Sequence, residues 1–346
     1  MKKYLFILTI IIISCREEIT LDLPVPSESL VVQGAIEQGF PPYVILTRNQ
    51  GYFEDINSNT FNDFFVNDAD TVKVWTFDEN NVKQIKILHR LPDIDSLPPI
   101  YTDIDYVIPA IISGNAPNYD FSQAGRTYFL EIKWNGAIIT STTSIPDPTP
   151  LDSLWVEQNP STDAEWWEEY KHDIWGVYSD DVNVQNNILV RSKRIEYWKK
   201  NSNGVNNHPD PQLLLLDCAP DILINGESFA NVFLRPKGPG QFPPFAAYNG
   251  DRYTIHEETQ DSTFLPRDVA LIKFCQVDEA SMKFWRGVVR NVTSGGNPFA
   301  EPMNLTSNVN GALGIWSGYG ATYYKVPVDT NIVIFDQYTP NILDIF

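Results

Sequence analysis

The sequence predicts a mostly β protein, with an N-terminal immunoglobulin-like β-sandwich over residues 27–147 and a second β-rich domain with one helix over 148–346. Three observations carry this. Apolar and polar residues alternate over short runs interrupted by Pro and Gly, which is the two-residue period of half-buried strands. An Asn-Gly pair sits between two such runs and supplies the positive φ angles of a two-residue hairpin turn. Helical spacing is confined to one stretch. At 346 residues the chain also exceeds what one hydrophobic core comfortably serves, so two domains are expected.

Taken in order, Ser29 to Ile36 and Pro42 to Thr47 read as strands joined through Gly39-Phe40-Pro41. Thr71 to Phe77 alternates faces, turns at Asp78-Glu79-Asn80-Asn81, and returns through Ile85 and Ile87. Tyr128 to Trp134, then Asn135-Gly136, then Ala137 to Ile139 is the clearest hairpin. The prolines of Ile145-Pro146-Asp147-Pro148-Thr149-Pro150 remove backbone donors and mark the exit from the first domain. Beyond it, Leu154 to Val156, Ile188 to Val190, Arg194 to Trp198 and Val269 to Phe274 read as strands, with a polar insertion from Asn201 to Pro211. The single helix is capped by Asp278, carries Met282, Trp285, Val288, Val289 and Val292 on one face, and stops at Ser294-Gly295-Gly296. The glycines at 311, 314, 318 and 320 are read as sharp turns and points of close backbone approach.

Composition excludes several functions. The 44 acidic against 25 basic residues leave a net charge of −19, so nucleic acid, which is bound through Lys and Arg on phosphates, is not an expected partner. Hydrophobic residues at 43% and aromatics at 13% are enough for a packed, ordered fold.

The N-terminus indicates location. Lys2 and Lys3 precede an apolar run from Tyr4 to Ile13, far short of the roughly 20 residues that a membrane span needs. Ile12-Ile13-Ser14-Cys15 resembles the lipobox of bacterial lipoproteins. That resemblance implies a signal peptide over 1–14, acylation of the Cys15 thiol and a lipidated tether over 15–26. Arg16-Glu17-Glu18 resembles the acidic export signal of Bacteroidota surface lipoproteins, which implies an outer-membrane, cell-surface location. Of the three cysteines, Cys218 and Cys275 then remain in an oxidising compartment. They are either a disulfide, worth roughly 4 kcal/mol in the chain-entropy model, or two buried thiols.

Longer segments, Asn297-Pro298-Phe299-Ala300-Glu301-Pro302, Leu305-Thr306-Ser307-Asn308-Val309 and the block from Gly311 to Tyr319, resemble the Bacteroidota family called domain of unknown function 4249. Leu30-Val31-Val32-Gln33-Gly34 and Gly125 to Leu130 through Ile145-Pro146 extend the likeness over most of the chain. The resemblance implies a lipoprotein that accompanies a SusC-type TonB-dependent outer-membrane receptor. It supplies no catalytic residues.

Chemistry is not expected. His256-Glu257-Glu258-Thr259-Gln260 lacks the second histidine of a zinc-protease helix, the four histidines are unpaired in spacing, and Ser317 is one place late for a nucleophile elbow. Asp55-Ile56-Asn57-Ser58-Asn59 has calcium-loop spacing without the turn glycine. No catalytic residue, metal or cofactor is therefore assigned. Trp166, Trp167, Tyr170, Trp175 and Tyr178 crowd one acidic stretch and are either a partner or ligand patch or part of a β core. The expected function is a non-catalytic accessory subunit of a TonB-dependent receptor in nutrient capture or uptake. The alternative is a free-standing surface glycan-binding or adhesion lipoprotein.

Overall fold

The computed structural model describes residues 29–49, 61–94, 97–115, 117–158, 172–200, 204–209, 214–221, 226–234, 269–294, 304–327 and 332–345. The first half holds β1 (Leu30–Glu37), β2 (Tyr43–Arg48), β3 (Thr71–Phe77), β4 (Lys83–Arg90), β5 (Tyr101–Thr102), α1 (Ile104–Ser113), β6 (Thr127–Trp134) and β7 (Ala137–Ser144). The second half holds β8 (Ser153–Gln158), β9 (His172–Ser179), β10 (Asn187–Lys200), β11 (Gly204–Pro209), β12 (Leu214–Pro220), β13 (Ser228–Leu234) and β14 (Val269–Val277). It continues with α2 (Glu279–Ser294), β15 (Val309–Asn310), β16 (Leu313–Pro327) and β17 (Val333–Ile334). The fold is mostly β, as the alternation predicts.

One large curled sheet of 13 strands runs β11-β10-β14-β16-β1-β2-β5-β4-β3-β6-β7-β15, with β12 also paired to β10. A second sheet of 4 strands runs β13-β9-β8-β17. The halves of the chain share the large sheet because β1 lies parallel to β16, from Val31 opposite Leu313 to Glu37 opposite Tyr319. Their cores are nevertheless distinct. Ile145 closes a cluster built from β1 to β7 with Trp316, whereas Leu151 opens one between the four-stranded sheet and the strands β10, β14 and β16. The proline-rich exit is the passage from one core to the next. A third cluster, under α2, covers the opposite face of β14 and β16.

Of the C-terminal glycines, Gly311 lies in a turn at φ 85, while Gly314, Gly318 and Gly320 are points of close approach within the longest strand described, β16, of 15 residues. Both of its faces are covered, so it shows no alternation. Its glycines lie where other backbone passes: a Cβ at Gly314 would meet Val32 O at 1.9 Å, and one at Gly318 would meet Ser144 O at 1.9 Å. Trp316 is fully buried; its indole N–H donates to Tyr128 O at 3.3 Å, and its backbone pairs with the Asn308 side chain.

α2 begins as expected. The Asp278 Oδ1 accepts from the Ser281 amide at 2.8 Å, and its Oδ2 accepts from Thr143 Oγ1 at 2.6 Å, tying the helix start to β7. Met282 and Trp285 are buried, but Val292 is 74% exposed, so the apolar stripe ends a turn before the helix does. Replacing Asp278 with Ala is expected to lower stability by about 1–2 kcal/mol, measurable as a shift of the urea midpoint at unchanged slope. The helix α1 is not foreshadowed by the sequence pattern, since Pro109 sits inside it. It ends at Gly114 in the left-handed region, whose amide donates to Ala110 O at 3.0 Å.

Candidate recognition surfaces

The β8–β9 hairpin sorts its side chains by parity. Leu154, Val156, Ile174 and Tyr178 face the core, so Trp155 and Trp175, which sit directly opposite each other, stand on the outer face. Their rings stack at 6.4 Å between centroids and 15° between planes. The Trp155 indole N–H donates to Glu157 Oε1 at 2.8 Å, which leaves the apolar rings as the feature this face presents. Val333 continues the row opposite Trp155, and Phe335 just beyond it is 67% exposed.

Of the five aromatics singled out in the sequence, Trp175 is therefore at a surface, paired with a tryptophan that the clustering did not include. Trp166, Trp167 and Tyr170 lie outside the described residues, in the stretch that joins β8 to β9. Tyr178 is a correction: it is fully buried against Phe274, with ring centroids 5.2 Å apart, and its hydroxyl donates to Asp180 Oδ1 at 2.9 Å. Three residues after Trp175 on a strand, it must point to the opposite face. Burial, together with the neighbouring Asp180 carboxylate, pushes its phenol pKa up. Cys15, the 55–59 loop and His256 to Gln260 also lie outside the described residues.

A disulfide between Cys218 and Cys275 is likewise corrected, since both thiols are free and buried. Leu189 of β10 pairs with Cys218 on one side and Cys275 on the other. Two strand spacings, about 9.5 Å, separate the cysteines, beyond the roughly 7 Å limit for a bridge. Burial pushes each thiol pKa up to about 12. Both are expected to resist alkylation in the native protein and to react fully once it is denatured without reductant, as mass spectrometry would show.

A second exposed face is set by the same parity. On the sheet β4-β3-β6-β7, Val72, Val74, Leu130 and Ile132 turn inward, while Trp75 lies opposite Ile85 and Phe129 on the outer side. Trp75 and Phe129 stack at 5.5 Å and 14°, and Phe77 meets Phe129 edge-on at 6.4 Å. Lys83 sits 4.5 Å from the Trp75 ring centroid. The sequence did hold the signal, since Lys73 shares the parity of Trp75 and marks that face as the one toward water.

One polar cluster is buried on the large sheet, on the face of β14 and β16 turned away from the four-stranded sheet. Lys273 of β14 forms an ion pair with Glu37 of β1, both at 5% exposure or less. The Lys273 ammonium lies 4.8 Å from the Tyr319 ring and 5.3 Å from that of Tyr323. Desolvation raises both phenol pKa values, keeping the rings protonated. Among the described residues, no group of three or more His, Cys, Asp and Glu side chains is arranged to hold a metal ion, and no helix is long and apolar enough to cross a membrane. What the described surfaces offer is apolar contact. No protein-family model matches the chain, and no characterised protein matches it.

Proposed function

We propose that the chain is an outer-membrane surface lipoprotein, anchored through Cys15, that serves as a non-catalytic accessory subunit of a SusC-type TonB-dependent receptor in nutrient capture or uptake. The observation that carries this reading is the half-buried Trp155–Trp175 pair, midway along a hairpin whose connecting sequence holds Trp166, Trp167 and Tyr170. Tryptophan and tyrosine supply much of the energy at protein interfaces, and an anchor that confines both partners to one membrane lets a modest interface suffice. The reading also draws on the resemblance of the sequence to domain of unknown function 4249. The same reading takes residues 27–147 as an immunoglobulin-like unit, in keeping with its short antiparallel strands and shared core.

Gentle detergent extraction of native membranes is expected to recover the protein with a large β-barrel, and Trp155→Ala with Trp175→Ala to reduce that recovery about tenfold or more. Thermal melting of the same variants controls for folding. The stacked indole pair also favours a second reading, a free-standing glycan-binding or adhesion lipoprotein, because indoles pack against sugar rings. Elution alone from gentle detergent, with binding on a polysaccharide panel that the same substitutions abolish, would select it.

A further inference from the structure

The outer face of β4-β3-β6-β7 is separate from the Trp155–Trp175 surface and combines two properties seldom found together on so acidic a chain. It is apolar: Ile85, Ile87 and Ile138 are 52%, 54% and 62% exposed, and Phe77 is 43% exposed beside the Trp75–Phe129 stack. It is also basic. Register places Lys73, Lys83 and Lys133 on this side with Glu131 as the acid among the paired outward positions, and Glu131 is neutralised by Lys73 at 2.7 Å. The chain as a whole has 44 acids to 25 bases. The acids of the β3–β4 turn lie at one end of this face and have partners of their own. The Asp78 carboxylate accepts from the Asn80 and Val82 amides at 2.9 and 2.8 Å, and Glu79 lies 3.7 Å from Arg126.

The chain enters the fold at one end of this sheet, on its inner side, where Leu30 and Trp134 share the buried core. Leu30 pairs with Arg48, whose guanidinium lies 5.8 Å from the Trp134 ring. Trp134 follows Lys133 and pairs with Ala137, the neighbour of Ile138. Between Cys15 and Leu30, even a fully extended chain reaches at most about 50 Å, so an anchor at Cys15 keeps this end of the sheet close to its bilayer.

We infer that the β4-β3-β6-β7 face rests on the membrane surface, with its isoleucines and Phe77 at the headgroup boundary and Lys83 and Lys133, the lysines not paired with Glu131, toward anionic headgroups. The inference rests on the proposed anchor at Cys15. It deepens that reading by assigning the lipid surface one face of the fold and leaving the Trp155–Trp175 face to a partner. Apolar side chains ringed by lysines suit an interface in which the chains bury the former and pair the latter with phosphates.

The test uses the full acylated protein with Ile85→Cys, and in a second sample Phe335→Cys, each labelled with an environment-sensitive dye. With Cys15 acylated and the native thiols buried, the introduced thiol is the one that reacts. The protein is reconstituted in phosphatidylethanolamine vesicles containing phosphatidylglycerol and a nitroxide-bearing lipid. The expected result is strong quenching at position 85 and little at 335. Lys83→Glu and Lys133→Glu should weaken the contact by roughly fivefold each. Equal, weak quenching at both positions in vesicle-bound protein overturns the inference while leaving the anchor in place. Energy transfer between labels at position 85 overturns it in favour of a second copy as occupant. Protein that stays off the vesicles altogether overturns the anchor and the inference with it.

Discussion

Gly318→Ala is expected to be among the most damaging single substitutions in the chain. Gly318 donates its amide to Thr143 Oγ1 at 2.8 Å where β16 passes β7, and an added Cβ would stand 1.9 Å from Ser144 O and 2.5 Å from its carbonyl carbon. The obstructing atoms are backbone, held by the β6–β7 ladder, so no side chain can rotate away. Such overpacking is expected to cost at least about 3 kcal/mol, seen as a melting temperature lowered by roughly 5–10 °C or as loss of soluble protein. Gly136→Ala is the informative contrast. At φ 75 with nothing within 4 Å of its added Cβ, it meets only the strain of the left-handed region, about 1 kcal/mol. Equal effects at the two positions would mean that β16 does not run against β7 as described.

Lys273→Met is expected to have the second large effect. It leaves the Glu37 carboxylate buried at 5% exposure without its cation, and its Oε1 has no hydrogen-bond partner among the described residues. Removing one member of a buried ion pair typically costs about 3–5 kcal/mol, because the remaining charge is uncompensated. The double variant Lys273→Met with Glu37→Leu is expected to recover most of that loss, since two desolvated charges are replaced by apolar volume between the Tyr319 and Tyr323 rings. Urea unfolding of the two single variants and the double, as a cycle, measures this directly. A double variant no more stable than Lys273→Met would show that the pair is not the buried unit the geometry gives.

Much of the strand pattern was legible. Thr71–Phe77 was expected and found with the same limits, and Asn135 and Gly136 adopt φ 50 and 75, as a two-residue hairpin turn requires. Asp278 caps α2 where the spacing put it. These features depend on neighbours a few residues away, so local chemistry is enough to specify them. The strand β16 was not legible because burial of both faces removes the alternation that announces a strand, and its close-packed glycines look like turn residues. The helix α1 was not legible because Pro109 argues against a helix that its surroundings nonetheless hold.

The candidate surfaces divide in the same way. Alternation along β3 establishes that Lys73, Trp75 and Phe77 share a side, and charge marks that side as the wet one. It cannot say that Ile85 and Phe129 flank Trp75, that Trp155 stands opposite Trp175, or that Leu189 separates Cys218 from Cys275. Those facts follow from which strands pair and in what register. Pairing is set by the summed packing of distant segments, above all the parallel union of β1 with β16 across almost the whole length of the chain. The period of a strand is written in the strand, whereas its neighbour is chosen by the core that both must close.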